Sequence, residues 1–246
     1  MSSPQVKDRE SKPLFKWLIT LILIALCIWA AQWQFQRGID RQDRNAMIES
    51  QLTRATLNVE EVPSKSSADL ERLEWRTVKA TGTFRSNEQI LLKNRYFEGV
   101  YGFEVLTRFA LNDGRFIWVN RGWVKAGKDA STAPTITPVP TSEVSITGRV
   151  RLDKSLPVGA FFALPSSGTG LISKLNAQSG FESEGFYLDL KSGSDPSLTP
   201  SAPVQLPELS DGPHLAYSLQ WIFFAGLVIY GRILIRRGQI LTRKEL

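Results

Sequence analysis

The chain has 246 residues, 42% of them apolar, and a net charge of +6. The excess sits at the two ends: Lys7, Arg9, Lys12 and Lys16 against Asp8 and Glu10, then Arg232, Arg236, Arg237, Arg243 and Lys244 against Glu245. The residues between are neutral, so the basic balance marks membrane flanks and gives no support to a nucleic-acid partner. One cysteine, Cys27, and one histidine, His214, exclude an internal disulfide, zinc spacings of Cys and His, and any multi-His metal site.

Taken in chain order, Leu14 to Ala31 reads LFKWLITLILIALCIWAA, with Lys16 its only charge. Extended to Trp33, this is about 30 Å of helix, the thickness of a bilayer core. Trp17 at one end and Trp29 and Trp33 at the other stand where an aromatic belt would place them. A cleaved signal peptide is the rival reading, but the run is longer than a signal core and the bulky QWQFQR follows it. Residues 32–57 continue the helix out of the span, and 58–70 read as a linker.

Strand patterning begins at Trp75 with WRTVKATGTF, followed by EQILLKNRYF and VYGFEVLTRFAL. Asn112-Asp113-Gly114 signals a tight turn, and RFIWVNRGWV runs out of it, which predicts a β-hairpin over 100–124. Residues 126–142 read as a surface loop, 143–152 and 185–190 as further strands, and 169–180 as a short helix. Residues 191–213 hold five prolines and many serines and read as a tether. Leu215 to Ile235 is a second apolar run, ended by Arg236-Arg237; a buried helix of a soluble protein is its alternative.

The fold class expected is a membrane protein with two transmembrane helices flanking a β-rich extramembrane domain. That domain is α+β, mostly antiparallel and barrel-like, with six or seven strands. The parts are an N-terminal tail (1–13), a first span (14–33), the domain with its tether (34–213), a second span (214–235) and a basic tail (236–246). The positive-inside rule puts both termini in the cytoplasm and the domain outside. The opening MSSPQVKDRESK carries acids unlike a mitochondrial presequence, so the expected site is a bacterial plasma (inner) membrane.

Little in the sequence supports catalysis. No GxSxG, CxxCH, Walker A or dinucleotide fingerprint is present. His214 stands at the mouth of the second span. At 100° per residue, His214, Ser218, Trp221, Ala225, Val228 and Arg232 share one face, with Tyr217 beside it. Two readings of His214 remain open on spacing alone: an interfacial polar residue at a helix start, or an axial ligand to a haem iron. The glycine in Asn120-Arg121-Gly122-Trp123 marks a bulge or a close approach in a strand, so Arg121 and Trp123 are structural or binding residues.

Together the segments resemble the surfeit-locus-1 family. The residues carrying this are Trp33-Gln34-Phe35-Gln36-Arg37 (WQxxR), Glu74-Trp75-Arg76-Thr77-Val78, Gly82-Thr83-Phe84 and Gly102-Phe103-Glu104-Val105. Val119-Asn120-Arg121-Gly122-Trp123-Val124 is the most specific, and His214-Leu215-Ala216-Tyr217 with Trp221 resembles the family's HxxY…W. The resemblance covers nearly the whole chain. It implies an assembly factor for cytochrome c oxidase that takes haem a from haem a synthase and supplies it to the catalytic subunit. It implies His214 as the haem-iron ligand, with Tyr217 and Trp221 nearby, and gives Trp33, Gln34, Arg37, Arg121, Gly122 and Trp123 partner or structural roles. A scaffold that stabilises an oxidase intermediate without binding haem is one alternative. A membrane-anchored sensor or enzyme with an external β domain is another.

Overall fold

The computed structural model describes residues 13–64, 68–127, 134–152, 170–199 and 201–242. The chain divides into two compact units, one built from residues up to Ala46 together with those from Leu209 onward, the other from Met47–Glu208.

The first unit holds two helices, α1 (Pro13–Thr53, whose last turns enter the second unit) and α4 (His214–Thr242). Both are long and apolar enough to cross a membrane. They run antiparallel, because Gln34 meets His214 while Trp17 meets Arg232. These two levels are about 26 Å apart along the helices, close to a bilayer core. The facing stripes are small or polar: Thr20, Cys27 and Ala31 on α1, Ser218 and Ala225 on α4. Ser218 Oγ donates to the Ala31 carbonyl at 2.9 Å. Large apolar residues such as Leu18, Leu26, Trp29, Leu219, Phe223 and Leu227 point outward. Small residues inside and bulky apolar residues outside are the arrangement for helices whose solvent is lipid.

The second unit is a closed barrel. Its strands are β2 (Thr77–Phe97), β3 (Val100–Leu111), β4 (Phe116–Lys125), β5 (Val144–Leu152) and β6 (Phe186–Gly193), in the order β2-β3-β4-β6-β5, with β5 pairing back onto β2. A two-residue β1 (Leu57–Asn58) adds to β2 in parallel. All other pairings are antiparallel except β4–β6. Alternation sorts the side chains. Val78, Phe109, Ile117, Val119, Ile146 and Leu188 fill the apolar core. Their neighbours Trp118 and Tyr187 lie on the other face, covered by α3 (Leu171–Ser179) through Leu171, Ile172 and Leu175. Each such side chain, fully buried, contributes about 1.5–3 kcal/mol.

The hairpin expected over 100–124 is present as β3 and β4, and the short helix at 169–180 as α3. Two strands expected between 75 and 97 are one strand, β2. It passes through the polar Arg85–Glu88 stretch with a register shift between Phe84 and Gln89. The linker expected at 58–70 contains a 3-10 turn at Val59–Glu61 and the four-residue α2 (Ala68–Glu71). The proline-rich stretch from 191 is not a free tether at its start. It completes β6 to Gly193, buries Leu198 and Ala202, and accepts a hydrogen bond from Arg149 at the Val204 carbonyl. Within the loop expected at 126–142, residues 128–133 lie outside the described residues, and Val139 is buried. Residues 1–12 and 243–246 of the two tails also lie outside them.

Candidate functional site

His214 is the first residue of α4, as the helical-face reading placed it. What fixes it there is a row of α1 residues on one face. Gly38 comes first: a Cβ at this position would lie 2.8 Å from Leu215 Cδ2 and 3.6 Å from His214 Cβ, so the glycine lets α4 approach. Arg41 donates to the Ser210 carbonyl. Gln42 and Asn45 donate to the Asp211 carboxylate at 3.1 and 3.4 Å. Residues 38, 41, 42 and 45 recur at helical spacing, so one side of α1 grips the Ser210–Gly212 turn that launches α4.

One turn before Gly38, Gln34 reaches the imidazole: His214 Nδ1 and Gln34 Oε1 are 3.0 Å apart. With the amide oxygen facing it, Nδ1 is the donor in the tautomer that makes this bond, and that tautomer leaves a lone pair on Nε2. Nε2 makes no hydrogen bond among the described residues. His214 is half-buried, and exposed apolar side chains (Leu215, Tyr217, Leu219) follow it on α4. Among the described residues this leaves one imidazole nitrogen without a partner, next to the exposed apolar residues of α4.

The other expected residues of this site divide. Tyr217 is one turn on, its backbone N–H bonded to the Pro213 carbonyl and its ring 46% exposed. Trp221 is half-buried, its ring edge-to-face with Phe224 at 5.7 Å. Trp33 and Arg37 pair with each other on the outer side of α1, the guanidinium 5.8 Å from the ring centre, and both are exposed.

Arg121, Gly122 and Trp123 stand in the other unit, and their work there is internal. β3 pairs Val105 with Gly122 and Leu106 with Asn120, so Arg121 is the extra residue of a β-bulge. The bulge leaves Arg121 fully buried. Its guanidinium donates to the carbonyls of Leu198 (2.8 Å), Ser197 (3.0 Å) and Thr137 (3.1 Å) and to Gln89 Oε1 (3.1 Å). All four acceptors are neutral, and burial pulls the guanidinium down to about 10. Gly122 has φ of +128°, and a Cβ there would lie 2.2 Å from the Ala202 carbonyl oxygen. Trp123 exchanges backbone hydrogen bonds with Ala202, stacks on Phe97 and donates from Nε1 to the Arg95 carbonyl. This motif sews Thr137, Ser197, Leu198 and Ala202 onto the barrel.

A set of polar residues that sequence reasoning passed over lies beside it. Asn120 donates to Glu104 at 3.1 Å and to Asp189 at 3.4 Å. Arg151 pairs with Asp189 at 2.9 Å and stands 3.6 Å over the Trp75 ring, and Arg95 pairs with Glu104 at 3.3 Å. Burial raises the carboxyls of Glu104 and Asp189, while the arginines oppose it. Burial likewise lowers Arg149, on the strand between. Alternation along β4 and β6 was the available signal, since Asn120 and Asp189 share the outer face with Trp118 and Tyr187.

The family model for the SURF1 family matches residues 21–226, which takes in the WQxxR helix, the whole barrel and the start of α4. The chain belongs to the SURF1 family. SURF1 proteins are known generally as oxidase assembly factors. The chain is 28% identical to an uncharacterized SURF1-like protein of Mycobacterium bovis, over 93% of this chain and 86% of that protein. The same figures hold for one of Mycobacterium tuberculosis. A SURF1-like protein of Dictyostelium discoideum is 25% identical over 48% of this chain and 43% of its own length.

Proposed function

We propose that this SURF1 chain is an assembly factor for a haem–copper cytochrome c oxidase. It takes haem a from haem a synthase and passes it to the catalytic subunit. The observation that carries the reading is the single histidine of the chain, set at a span mouth with Nδ1 tied to Gln34 and Nε2 open. The donor set fits a haem. The His214 imidazole would hold the haem iron, and the exposed apolar surface of α4 next to it suits a porphyrin and an alkyl tail. Bound there, the haem iron would accept the Nε2 lone pair.

The chain's own residues do the rest. Asn45, Gln42 and Arg41 hold the turn that positions His214. One protein donor beside an exposed apolar surface would suit a cargo that must be handed on. Basic flanks at both ends and antiparallel helices support cytoplasmic termini with the barrel on the outer side of a bacterial inner membrane. This reading assigns the chain no catalytic turnover.

The test is the visible spectrum of full-length protein purified from cells that make haem a. Haem a bound to the wild type and absent from His214→Ala is the expected result. A wild type that never carries haem sinks the delivery role and favours the scaffold.

A further inference from the structure

We infer that Gln34 is a positioning residue for His214: its side-chain oxygen selects the imidazole tautomer that leaves Nε2 as the iron-facing nitrogen. The inference rests on the haem-carrier reading and adds to it a residue that contacts the ligand's ligand. Two observations support it. The Nδ1–Oε1 separation is 3.0 Å, a normal hydrogen bond between groups 180 positions apart in sequence. Gln34 is half-buried, and its place one turn before Gly38 puts it on the same α1 face that grips the turn launching α4.

A free histidine side chain in water prefers its proton on Nε2, the nitrogen needed here for the metal. Without a partner on Nδ1, the ring would therefore spend most of its time in the wrong tautomer. It would also turn freely about its side-chain bonds. An acceptor on Nδ1 removes both losses and makes Nε2 a better donor, which is why metal-bound histidines so commonly give their other N–H to an oxygen. An amide rather than a carboxylate does this without adding a negative charge at the level of the bilayer edge, where an unpaired charge is costly. It also strengthens the iron bond less than a carboxylate would, which suits release.

His214 is the only histidine in the chain, so selective nitrogen-15 labelling of histidine reports this ring alone, provided the purification tag carries none. The experiment uses full-length protein in lipid nanodiscs at mildly alkaline pH, without haem, and reads which ring nitrogen bears the proton. The same samples are then titrated with haemin and followed by absorbance. Wild type should show the proton on Nδ1. Gln34→Leu should return to the Nε2-protonated preference of free imidazole and bind haemin about 10–100-fold more weakly. Gln34→Glu should restore the Nδ1 proton and hold haemin at least as tightly as wild type. The contrast between these two variants separates orientation from packing, and circular dichroism confirms that both remain helical. A wild-type ring protonated on Nε2, or a Gln34→Leu variant with unchanged tautomer and affinity, overturns the inference. Wild type with the Nδ1 proton but no haemin binding supports the orienting bond and overturns the haem reading on which it was built.

Discussion

The two motifs that most clearly carry the SURF1 pattern hold their polar residues in opposite ways. In the barrel, Arg121 is fully buried and spends its guanidinium on four oxygens of the same chain. In the helix pair, His214 is half-buried and, among the described residues, makes one side-chain bond, to Gln34, and leaves its other nitrogen open. A side chain whose capacity is used up internally builds structure. One held firmly by half its capacity is prepared to bind something else. The difference separates residues that sequence motifs alone rank equally.

The largest break in that comparison should come from Arg121→Leu. It strands the buried Leu198 carbonyl, at about 1–3 kcal/mol, and takes a donor from the less buried Ser197 and Thr137 carbonyls and from Gln89 Oε1, which keeps Thr107. Unfolding of the barrel, followed by tryptophan fluorescence in denaturant, should show a loss of more than about 3 kcal/mol. His214→Ala in the same assay should change barrel stability by less than about 0.5 kcal/mol.

Gly122→Ala should come next. The residue must adopt a φ of +128° and place a methyl against the Ala202 carbonyl. A loss of about 1–3 kcal/mol in the same unfolding experiment is expected. An unchanged midpoint would mean that the 201–203 segment yields without cost.

On the helix side, Asn45→Ala removes one of two donors to Asp211. It should leave the barrel untouched and weaken haemin binding by a few-fold, because the turn before His214 is less well held. That corresponds to about 0.5–1 kcal/mol, the range of one exposed hydrogen bond. A barrel destabilised by this change would blur the division between the two units.

The smallest effect concerns pH. Burial raises the Glu104 carboxyl above its ordinary value. The folded barrel then binds a proton more tightly than the unfolded chain does. The stability this contributes is fully present below the unfolded carboxylate value and is lost as pH rises through the raised one. Glu104→Gln should therefore show a flatter dependence of stability on pH across that window than wild type. An equal slope in both proteins would place the proton elsewhere.

How much of this was legible in the sequence follows from how local each feature is. The 100–124 hairpin could be read because alternation and Asn112-Asp113-Gly114 are adjacent in the chain. The buried stripe of α4, from His214 to Arg232, could be read because 3.6-residue periodicity is local too. β2 was misread as two strands because a polar stretch and a bulge inside one strand imitate a turn. What stayed hidden involves partners far apart in the chain. Nothing near Gln34 indicates His214, nothing near Arg121 indicates the Leu198 carbonyl, and proline-rich composition does not reveal that 196–204 packs on the barrel. The structural role of Arg121 and the proposed binding role of His214 both rest on such long-range contacts.

The most direct test of this division is the haem-to-protein ratio of the folded fraction, measured as the pyridine haemochrome for His214→Ala beside Arg121→Lys, both made in cells that synthesise haem a. The account predicts that His214→Ala folds normally and carries no haem, whereas Arg121→Lys folds in lower yield but every folded molecule is charged like the wild type. A haem-loaded His214→Ala, or a folded Arg121→Lys that stays empty, would contradict it.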